Sequence, residues 1–466
     1  MKTSAKLFLF AGVVACASAG FCVNDVIAKE DLFSTGVSIV PPEGRVRFAL
    51  DRADATYACG DEAVFTVTVL TDDRKSPVTN GVCRWRLDNF GGKLVAEGRA
   101  DLSRGNPFAV RGTLTAPGFL RLTVTGDEAS VAGLYSAAYE PGRITVGGEK
   151  PEDFDRFWDT SVARLEREVP LDPKMEKIDE LSDAEISFYR VSFATFGGRR
   201  VYGTLCEPTD LSKGPFPMLV EIPGAGPGPL EDEYRTTNRI VRLMMGVHTF
   251  PPQRTREERT RAYEAQEAMY RAKHGPSGAR AYPVGGLLES VEASHYYPVI
   301  LGINRAISWT ALRPEVDRER VAYVGVSQGG GFGIYVTALN PFIRRSFVGV
   351  PALSDLFGYH VDGRQSGWPE VIESETDRDP GRLATLERNG RYLDAAFFAD
   401  RIRCPVRFSV GYIDESCAPH AVCATYNRVP SADKRLYHGI GGSHGADNAP
   451  LDEIWRWTWV GTAPSP

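Results

Sequence analysis

The sequence has neither a basic tract nor a long apolar run in its main body. Its 54 lysines and arginines are outnumbered by 60 aspartates and glutamates, giving a formal net charge of −6. Beyond the first residues, no apolar segment approaches the roughly 20 residues that a transmembrane helix needs. We therefore expect no nucleic acid partner and no transmembrane span.

The sequence also lacks the cysteine and histidine spacings of a zinc site. There is no Cys-x-x-Cys pair, so we expect no metal and no cofactor. In an oxidising compartment Cys59 could pair with Cys83, or Cys417 with Cys423, and buried thiols are the equal alternative.

The first residues resemble an export signal. Lys2 and Lys6 precede the apolar run from Leu7 to Ala15, and Ala17-Ser18-Ala19 supplies small residues before Gly20. This pattern predicts a signal peptide over residues 1–19 and a periplasmic or secreted protein. The stretch ending at Cys16 also resembles a lipidation box, so an outer-membrane lipoprotein anchored at Cys16 is the alternative.

Residues 46–146 have the pattern of an all-β domain. Short alternating runs, such as Ala63–Leu70 and Leu120–Val124, are separated by polar turns. This spacing, without helical periodicity, predicts an immunoglobulin-like β-sandwich. The run Cys83–Leu87 fits one of its strands, with Trp85 facing the core.

Residues 151–462 have the pattern of an α/β domain. A helix with acidic residues in its first turn is predicted to begin in Glu152–Trp158. Apolar strands then alternate with stretches long enough for crossover helices, which predicts a doubly wound, mostly parallel sheet. The clearest strands are Met218–Ile222, Val321–Gly325, Ser346–Val350 and Val406–Val410.

Residues 231–286 interrupt this alternation. Thr255–Lys273 is charged and helix-prone, and we interpret the segment as a solvated surface insertion. A lid, or a contact between subunits of a homo-oligomer, are the alternatives.

The strongest catalytic signal is Gly325-Val326-Ser327-Gln328-Gly329. It directly follows a predicted strand and precedes a helix, which is the context of a nucleophile elbow. The flanking glycines allow neighbouring backbone to approach the strained turn. Ser327 is therefore the predicted nucleophile.

A serine nucleophile needs a histidine base and an acid that fixes the histidine. His444 lies in a Gly-rich loop between the last predicted strand and a closing helix, so it is the predicted base, with His438 in reserve. Asp414 follows the strand that begins at Val406 and is the predicted acid. Asp355 competes with it, but a structural role near a helix start suits Asp355 better.

The oxyanion of a tetrahedral intermediate needs two N–H donors. The amide of Gln328, directly after the nucleophile, is the predicted first donor. The loop after Ile222 should supply the second, and Ala225 is predicted because Pro223 has no N–H.

These motifs resemble the acetyl xylan esterase and cephalosporin C deacetylase family. The resemblance implies an α/β-hydrolase fold, here preceded by an all-β immunoglobulin-like sandwich. It also implies Ser327, Asp414 and His444 as a triad, and metal-free deacetylation of small acylated carbohydrates such as xylo-oligosaccharides. One departure is Pro223-Gly224-Ala225, where the family has His-Gly-Tyr, which implies a differently shaped acyl pocket. The matching stretches are Pro151–Trp158, Val191–Gly203, Arg320–Gly330 and Gly411–Asp414 followed by Pro419.

The functional hypothesis is thus a serine carboxylic-ester hydrolase that works through an acyl-serine. A serine peptidase-like hydrolase is the first alternative, because a triad does not distinguish ester from amide. A catalytically silent carbohydrate-binding protein is the second.

Overall fold

The computed structural model describes residues 45–128, 131–234, 239–274, 282–372 and 378–460. The predicted signal peptide, Cys16 and residues 461–462 lie outside these ranges. Within them, none of the helices combines the length and the apolar character needed to cross a bilayer.

The N-terminal part of the described chain is a sandwich of two sheets. One sheet has the order β1-β3-β6, and the other has the order β2-β8-β7-β4-β5. Alternate residues of β3, from Ala63 to Val69, face a core that both sheets share. The strands are β1 Val46–Leu50, β2 Thr56–Tyr57, β3 Ala63–Val69, β4 Val82–Asp88, β5 Leu94–Asp101, β6 Phe108–Gly112, β7 Gly118–Thr125 and β8 Ala132–Tyr139.

The larger part is built on a nine-stranded sheet of order β17-β16-β15-β14-β12-β13-β11-β10-β9. The strands from β17 to β13 in this order are parallel, and the last three are antiparallel. The strands are β9 Lys174–Lys177, β10 Ile186–Ala194, β11 Arg200–Pro208, β12 Phe216–Ile222, β13 Val241–Met245, β14 Val316–Val326, β15 Arg345–Gly349, β16 Val406–Gly411 and β17 Lys434–Gly439.

Helices cover both faces of this sheet, as the near-continuous apolar runs of its parallel strands require. Helices α3 and α4 belong to the large core on one face. On the other face Phe347 and Tyr437 pack against Ile454 of α8. The helices are α1 Phe154–Glu168, α2 Arg256–His274, α3 Tyr296–Ala311, α4 Gln328–Leu339, α5 Pro380–Gly390, α6 Ala395–Ala399, α7 Pro419–Arg428 and α8 Leu451–Val460.

The prediction of a solvated surface insertion is wrong for α2. Gln266 and Tyr270 are buried, and both make hydrogen bonds to histidines of the catalytic part. Glu267 is buried as well, but most of the other charged residues of this helix lie on its exposed side, and their number concealed the buried side in the sequence.

The cysteine and tryptophan predictions concern the cores. None of the six described cysteines forms a disulfide. This outcome matches the buried-thiol alternative for Cys83, Cys417 and Cys423, whereas Cys59 is half-buried. Trp85 is half-buried against the sandwich core, where its ring lies over Gly98 of the neighbouring strand.

Candidate active site

Ser327 lies in the turn between β14 and α4, at the carboxyl end of an interior strand. Its φ of 60° and ψ of −123° are unusual for a residue with a side chain. Its backbone N–H donates to the carbonyl of Gly349 at 2.9 Å, and its carbonyl accepts from Ala352 at 2.9 Å. These bonds to the neighbouring strand and its loop hold the strained turn, and the Ser327 side chain remains half-exposed.

The two glycines of the elbow are required by close backbone contacts. A Cβ on Gly325 would lie 2.5 Å from the carbonyl oxygen of Gly329, and a Cβ on Gly329 would lie 2.1 Å from that of Ile222. Both distances are far shorter than the van der Waals contact between a carbon and an oxygen atom. The strand, the turn and the helix can therefore pack together only with glycine at these two positions.

Asp414 lies in the loop after β16 and is fully buried. Its Oδ1 accepts hydrogen bonds from the backbone amides of Ser416 and Cys417, both at 2.8 Å. Its Oδ2 faces the Nδ1 of His444 at 2.8 Å. Three donors thus fix the orientation of this carboxylate.

His444 connects Asp414 to Ser327. Its Nε2 lies 2.9 Å from the Oγ of Ser327. Since a carboxylate only accepts, the Nδ1 of His444 must donate to Asp414, which leaves the Nε2 as an acceptor for the serine hydroxyl. The structure therefore brings together the three residues predicted as a triad, in the geometry that proton transfer from the serine requires.

The alternative base His438 and the competing acid Asp355 lie away from Ser327, as does a third histidine of this part of the chain, His420. His438 points its Nδ1 at the hydroxyl of Tyr412, 3.0 Å away, and buried His420 donates from its Nε2 to the carbonyl of Gln365. Asp355 is fully buried and paired with Arg364 at 2.6 Å. It also accepts from the backbone amide of Gly147, so its surroundings are those of a structural residue.

The predicted oxyanion donors lie on two sides of the nucleophile. Gln328 is the first residue of α4, where backbone N–H groups have no acceptor within the helix and the helix dipole is positive. The loop after β12 passes close to Ser327, because a Cβ on Gly224 would be 3.8 Å from that of the serine. Ala225, the next residue, is half-buried in this loop.

The Gln328 side chain ties this loop to the helix, a role that sequence reasoning missed. Its Oε1 accepts from the hydroxyls of Tyr282 and Tyr296, at 2.7 and 2.8 Å. Its Nε2 faces the carbonyl of Gly224 at 3.4 Å. The Gln328 side chain is thus turned into the core, and only its backbone faces the nucleophile's turn.

His248 supports the same loop from behind and was also missed. Its Nε2 donates to the carbonyl of Gly226 at 2.8 Å, and its Nδ1 accepts from Gln266 of α2 at 2.9 Å. Burial lowers the pKa of His248 to about 4, so the ring is neutral near neutral pH. No spacing in the sequence marks such contacts, because they join segments distant along the chain.

Asn448 holds the loop that carries His444. Its Nδ2 donates to the carbonyls of Ser443 and Gly445, at 2.6 and 2.9 Å, and so spans the histidine. In the described part of the chain, one group of side chains could hold a metal ion, namely Asp414, Cys417 and His444, with ligand atoms within 4.8 Å of one another. Two of these three are already hydrogen-bonded to each other.

A doubly wound sheet with a serine elbow on an interior parallel strand is the architecture of the α/β-hydrolases. Here a β-sandwich precedes it. The fold thus has the two parts that the sequence predicted.

Comparison with known proteins gives the family. Residues 145–458 match the model of the acetyl xylan esterase (AXE1) family, and the chain belongs to that family. It is therefore a carboxylic-ester hydrolase. A curated relative, the acetyl esterase Axe7A of Xylanibacter ruminicola, is 27% identical over 371 residues, which cover 78% of this chain and 76% of that protein.

Solved structures show the same fold. Acetyl xylan esterase 1 from Thermoanaerobacterium sp. JW/SL YS485 matches with a TM-score of 0.57 and 20% identity, covering 70% of this chain and 98% of its own. An acetyl xylan esterase from Paenibacillus sp. R4 matches with a TM-score of 0.56 and 20% identity, covering 69% and 98%.

Proposed function

We propose that this esterase removes acetyl groups, or similarly small acyl groups, from xylan-derived carbohydrates through an acyl-serine. The observation that carries the proposal is the hydrogen-bonded series Ser327, His444, Asp414, with links of 2.9 and 2.8 Å, in a member of the acetyl xylan esterase family. The names of the relatives support acetylated carbohydrate as the substrate class.

In the proposed mechanism the Oγ of Ser327 attacks the acyl carbonyl while His444 takes the hydroxyl proton on its Nε2. Asp414 keeps the ring oriented and stabilises the positive charge that develops on it. The backbone amides of Gln328 and Ala225 donate to the oxyanion, and removing one such donor typically costs at least a hundredfold in turnover. As the tetrahedral intermediate collapses to the acyl-serine, the bond to the sugar oxygen breaks and His444 gives its proton to that oxygen, which leaves as a hydroxyl.

In the second half of the reaction water replaces Ser327 as the nucleophile. Water gives a proton to the Nε2 of His444 and attacks the acyl carbonyl. As the second tetrahedral intermediate collapses, His444 passes this proton to the Oγ of Ser327, which releases the carboxylic acid and free Ser327. The chemistry needs only the side chains and backbone groups of the protein.

The deciding experiment measures acetate release from acetylated xylan and acetylated xylo-oligosaccharides. We expect Ser327→Ala to lower kcat by roughly a millionfold, as loss of a triad serine does in other hydrolases. Ser103→Ala is the control, because this exposed serine lies in the sandwich, and it should retain full activity. Peptide amides are tested in parallel.

Three outcomes would contradict the proposal. Turnover of peptide amides in preference to acetate esters would indicate a peptidase. Sugar binding without a burst of acyl-enzyme would indicate a silent binding protein. Full activity of Ser327→Ala would exclude this serine as nucleophile.

We also propose that residues 1–19 direct export. Support comes from Lys2, Lys6 and the apolar run that follows them, ahead of Ala17-Ser18-Ala19. The mature N-terminus, determined by mass spectrometry of protein expressed from the full sequence, tests this. A terminus at Gly20 supports simple cleavage, an acylated Cys16 supports a lipoprotein, and an intact Met1 contradicts both.

A further inference from the structure

The loop that carries Asp414 lies against the β-sandwich. We call Tyr412–Cys417, directly after β16, the acid loop. Ser136 of β8 is buried and its Oγ donates to the carbonyl of Tyr412 at 2.5 Å. Phe119 of β7 packs edge-on against the Tyr412 ring, with centroids 5.0 Å apart and planes at 85°. The residue two positions before the carboxylate is thus held by both strands.

Arg121 of β7 holds the other side of the acid loop. Its Nε and Nη2 each donate to the carboxylate of Asp88 at 3.1 Å, while its Nη1 reaches Glu415 at 3.2 Å. Asp88 is 2% exposed and Arg121 is 13% exposed. Burial raises the pKa of Asp88, but Arg121, together with the backbone amide of Gly91 and the side chain of Arg86, outweighs this effect and lowers the pKa below its usual range. The guanidinium is therefore already fixed before it contacts Glu415, which reduces the entropy cost of that contact.

Gln365 makes a third connection. Its Nε2 donates to the carbonyl of Glu415 at 2.6 Å, and its backbone N–H donates to the carbonyl of Phe90 in the sandwich. Glu415, the residue after Asp414, is thus bound at its side chain by Arg121 of the sandwich. Its backbone carbonyl is bound by Gln365, which is itself hydrogen-bonded to Phe90 of the sandwich.

These contacts bear on catalysis because Asp414 is oriented by the backbone of its own loop. Two of its three donors are the amides of Ser416 and Cys417. A shift of the loop would therefore move the carboxylate relative to His444, and displacements near 1 Å can cost about a hundredfold in rate. We propose that the β-sandwich positions the acid of the triad, with Ser136 and Arg121 as positioning residues.

This inference depends on the proposed triad, and the test separates the two. Ser136→Ala removes the donor to Tyr412, and Glu415→Ala removes the Arg121 contact while leaving the buried Arg121–Asp88 pair intact. With a chromogenic acetate, we expect each variant to lose about tenfold in kcat with little change in KM, and the double variant to lose more.

The distinguishing measurement repeats both substitutions in an Asp414→Asn background. If Ser136 and Glu415 act through Asp414, their removal should have almost no further effect once the carboxylate is gone. Equal losses in both backgrounds, or no loss in either, would overturn the proposal. If Ser327→Ala also remained active, the proposed function itself would have failed.

Arg111→Ala is the matched control for general damage to the sandwich. Arg111 pairs with Glu62 at 2.7 Å on the other sheet, and both side chains are more than half exposed. The control should keep the wild-type kcat. A loss of activity equal to that of Ser136→Ala would show that any weakening of the sandwich suffices, and so would contradict a specific positioning role.

Discussion

At the scale of single residues, the nucleophile elbow has no spare volume. A Cβ on Gly329 would overlap the carbonyl oxygen of Ile222, and a Cβ on Gly325 would overlap both the carbonyl oxygen of Gly329 and the hydroxyl of Tyr323. The two backbone oxygens belong to β12 and to the start of α4, so moving them would disrupt regular secondary structure. The space around Ser327 is thus set by main-chain packing.

We expect Gly329→Ala to reduce kcat at least tenfold and to destabilise the protein by a few kcal/mol, since the overlap with Ile222 forces the elbow apart. Thermal unfolding and hydrolysis of a chromogenic acetate measure the two effects. Gly142→Ala is the control, because a Cβ there meets no atom within 4 Å. Wild-type behaviour of Gly329→Ala would mean that the elbow is less tightly packed than described.

The residues that could be assigned to the candidate site from the sequence are those with a local signature. Ser327 lies in a five-residue motif, and Asp414 and His444 follow strand ends in the expected order. Gln365 has no such signature, because its partner, the carbonyl of Glu415, is 50 positions away and becomes a neighbour only after folding. In the sequence alone, an asparagine or glutamine that supports the site cannot be distinguished from any other asparagine or glutamine.

At the scale of elements, side chains of α2 and the start of α3 form a buried polar layer behind the loop that follows β12. His295, at the start of α3, donates from its Nε2 to the carbonyl of Val247 and accepts from Tyr270 of α2, both at 2.8 Å. Burial, with a smaller effect of His248, lowers the pKa of His295 to about 3. Both histidines are therefore neutral in the fold and take up protons more readily when the chain unfolds.

This layer predicts a loss of stability in mild acid. Because the folded-state pKa values lie below the ordinary value of 6.5, the histidines contribute stability above about pH 6.5 and lose it as the pH falls towards 4. At about pH 5 each of the two histidines should lower the free energy of unfolding by about 2 kcal/mol relative to neutral pH. The difference in Tm between the two pH values measures this cost.

The variant His295→Gln should show a smaller Tm difference between these pH values than the wild type, even if its Tm at neutral pH is lower. His360→Gln is the control, because His360 is 39% exposed, and it should keep the full difference. An unchanged difference in His295→Gln would assign the acid sensitivity to other groups.

The strands of both parts could be predicted because each carries its own pattern, alternating in the sandwich and continuously apolar in the parallel sheet. The burial of α2 could not. Gln266 and Tyr270 are polar enough to fit an exposed helix face, and they are buried only because His248 and His295 supply matching hydrogen-bond partners. The periodicity of a sequence reveals an apolar helix face. It does not reveal a polar face that is buried because its side chains find hydrogen-bond partners inside the protein.

At the scale of the whole molecule, the connection between the sandwich and the sheet is anchored by a buried ion pair. Arg364 is 5% exposed and Asp355 fully buried. Arg364 also donates to the carbonyl of Thr145, and Asp355 accepts from the amide of Gly147. The pair therefore holds residues 145–147, the linker between the sandwich and α1. A second carboxyl group, that of Asp394, is buried beside Asp355 and accepts a hydrogen bond from its backbone amide. Burial, with the nearby charge of Asp355, raises the pKa of Asp394 to about 7.

We expect Arg364→Met to lower the free energy of unfolding by about 3 kcal/mol, because it leaves Asp355 buried without its cation. Denaturant unfolding measures the change. Arg111→Met, which breaks an exposed pair instead, should cost less than about 1 kcal/mol. Equal costs for the two variants would contradict the importance of the linker anchor.

The three side chains of the proposed triad come from strand ends far apart in the chain, and Ser327 and His444 are separated by 117 positions. During synthesis the proposed nucleophile Ser327 is made first, then the proposed acid Asp414, and then the proposed base His444. With the triad that we propose, a growing polypeptide gains hydrolytic activity only after β17 and the loop that follows it have been synthesised. Any nonsense mutation upstream of that loop would yield an inert product, however much of the sheet it had completed.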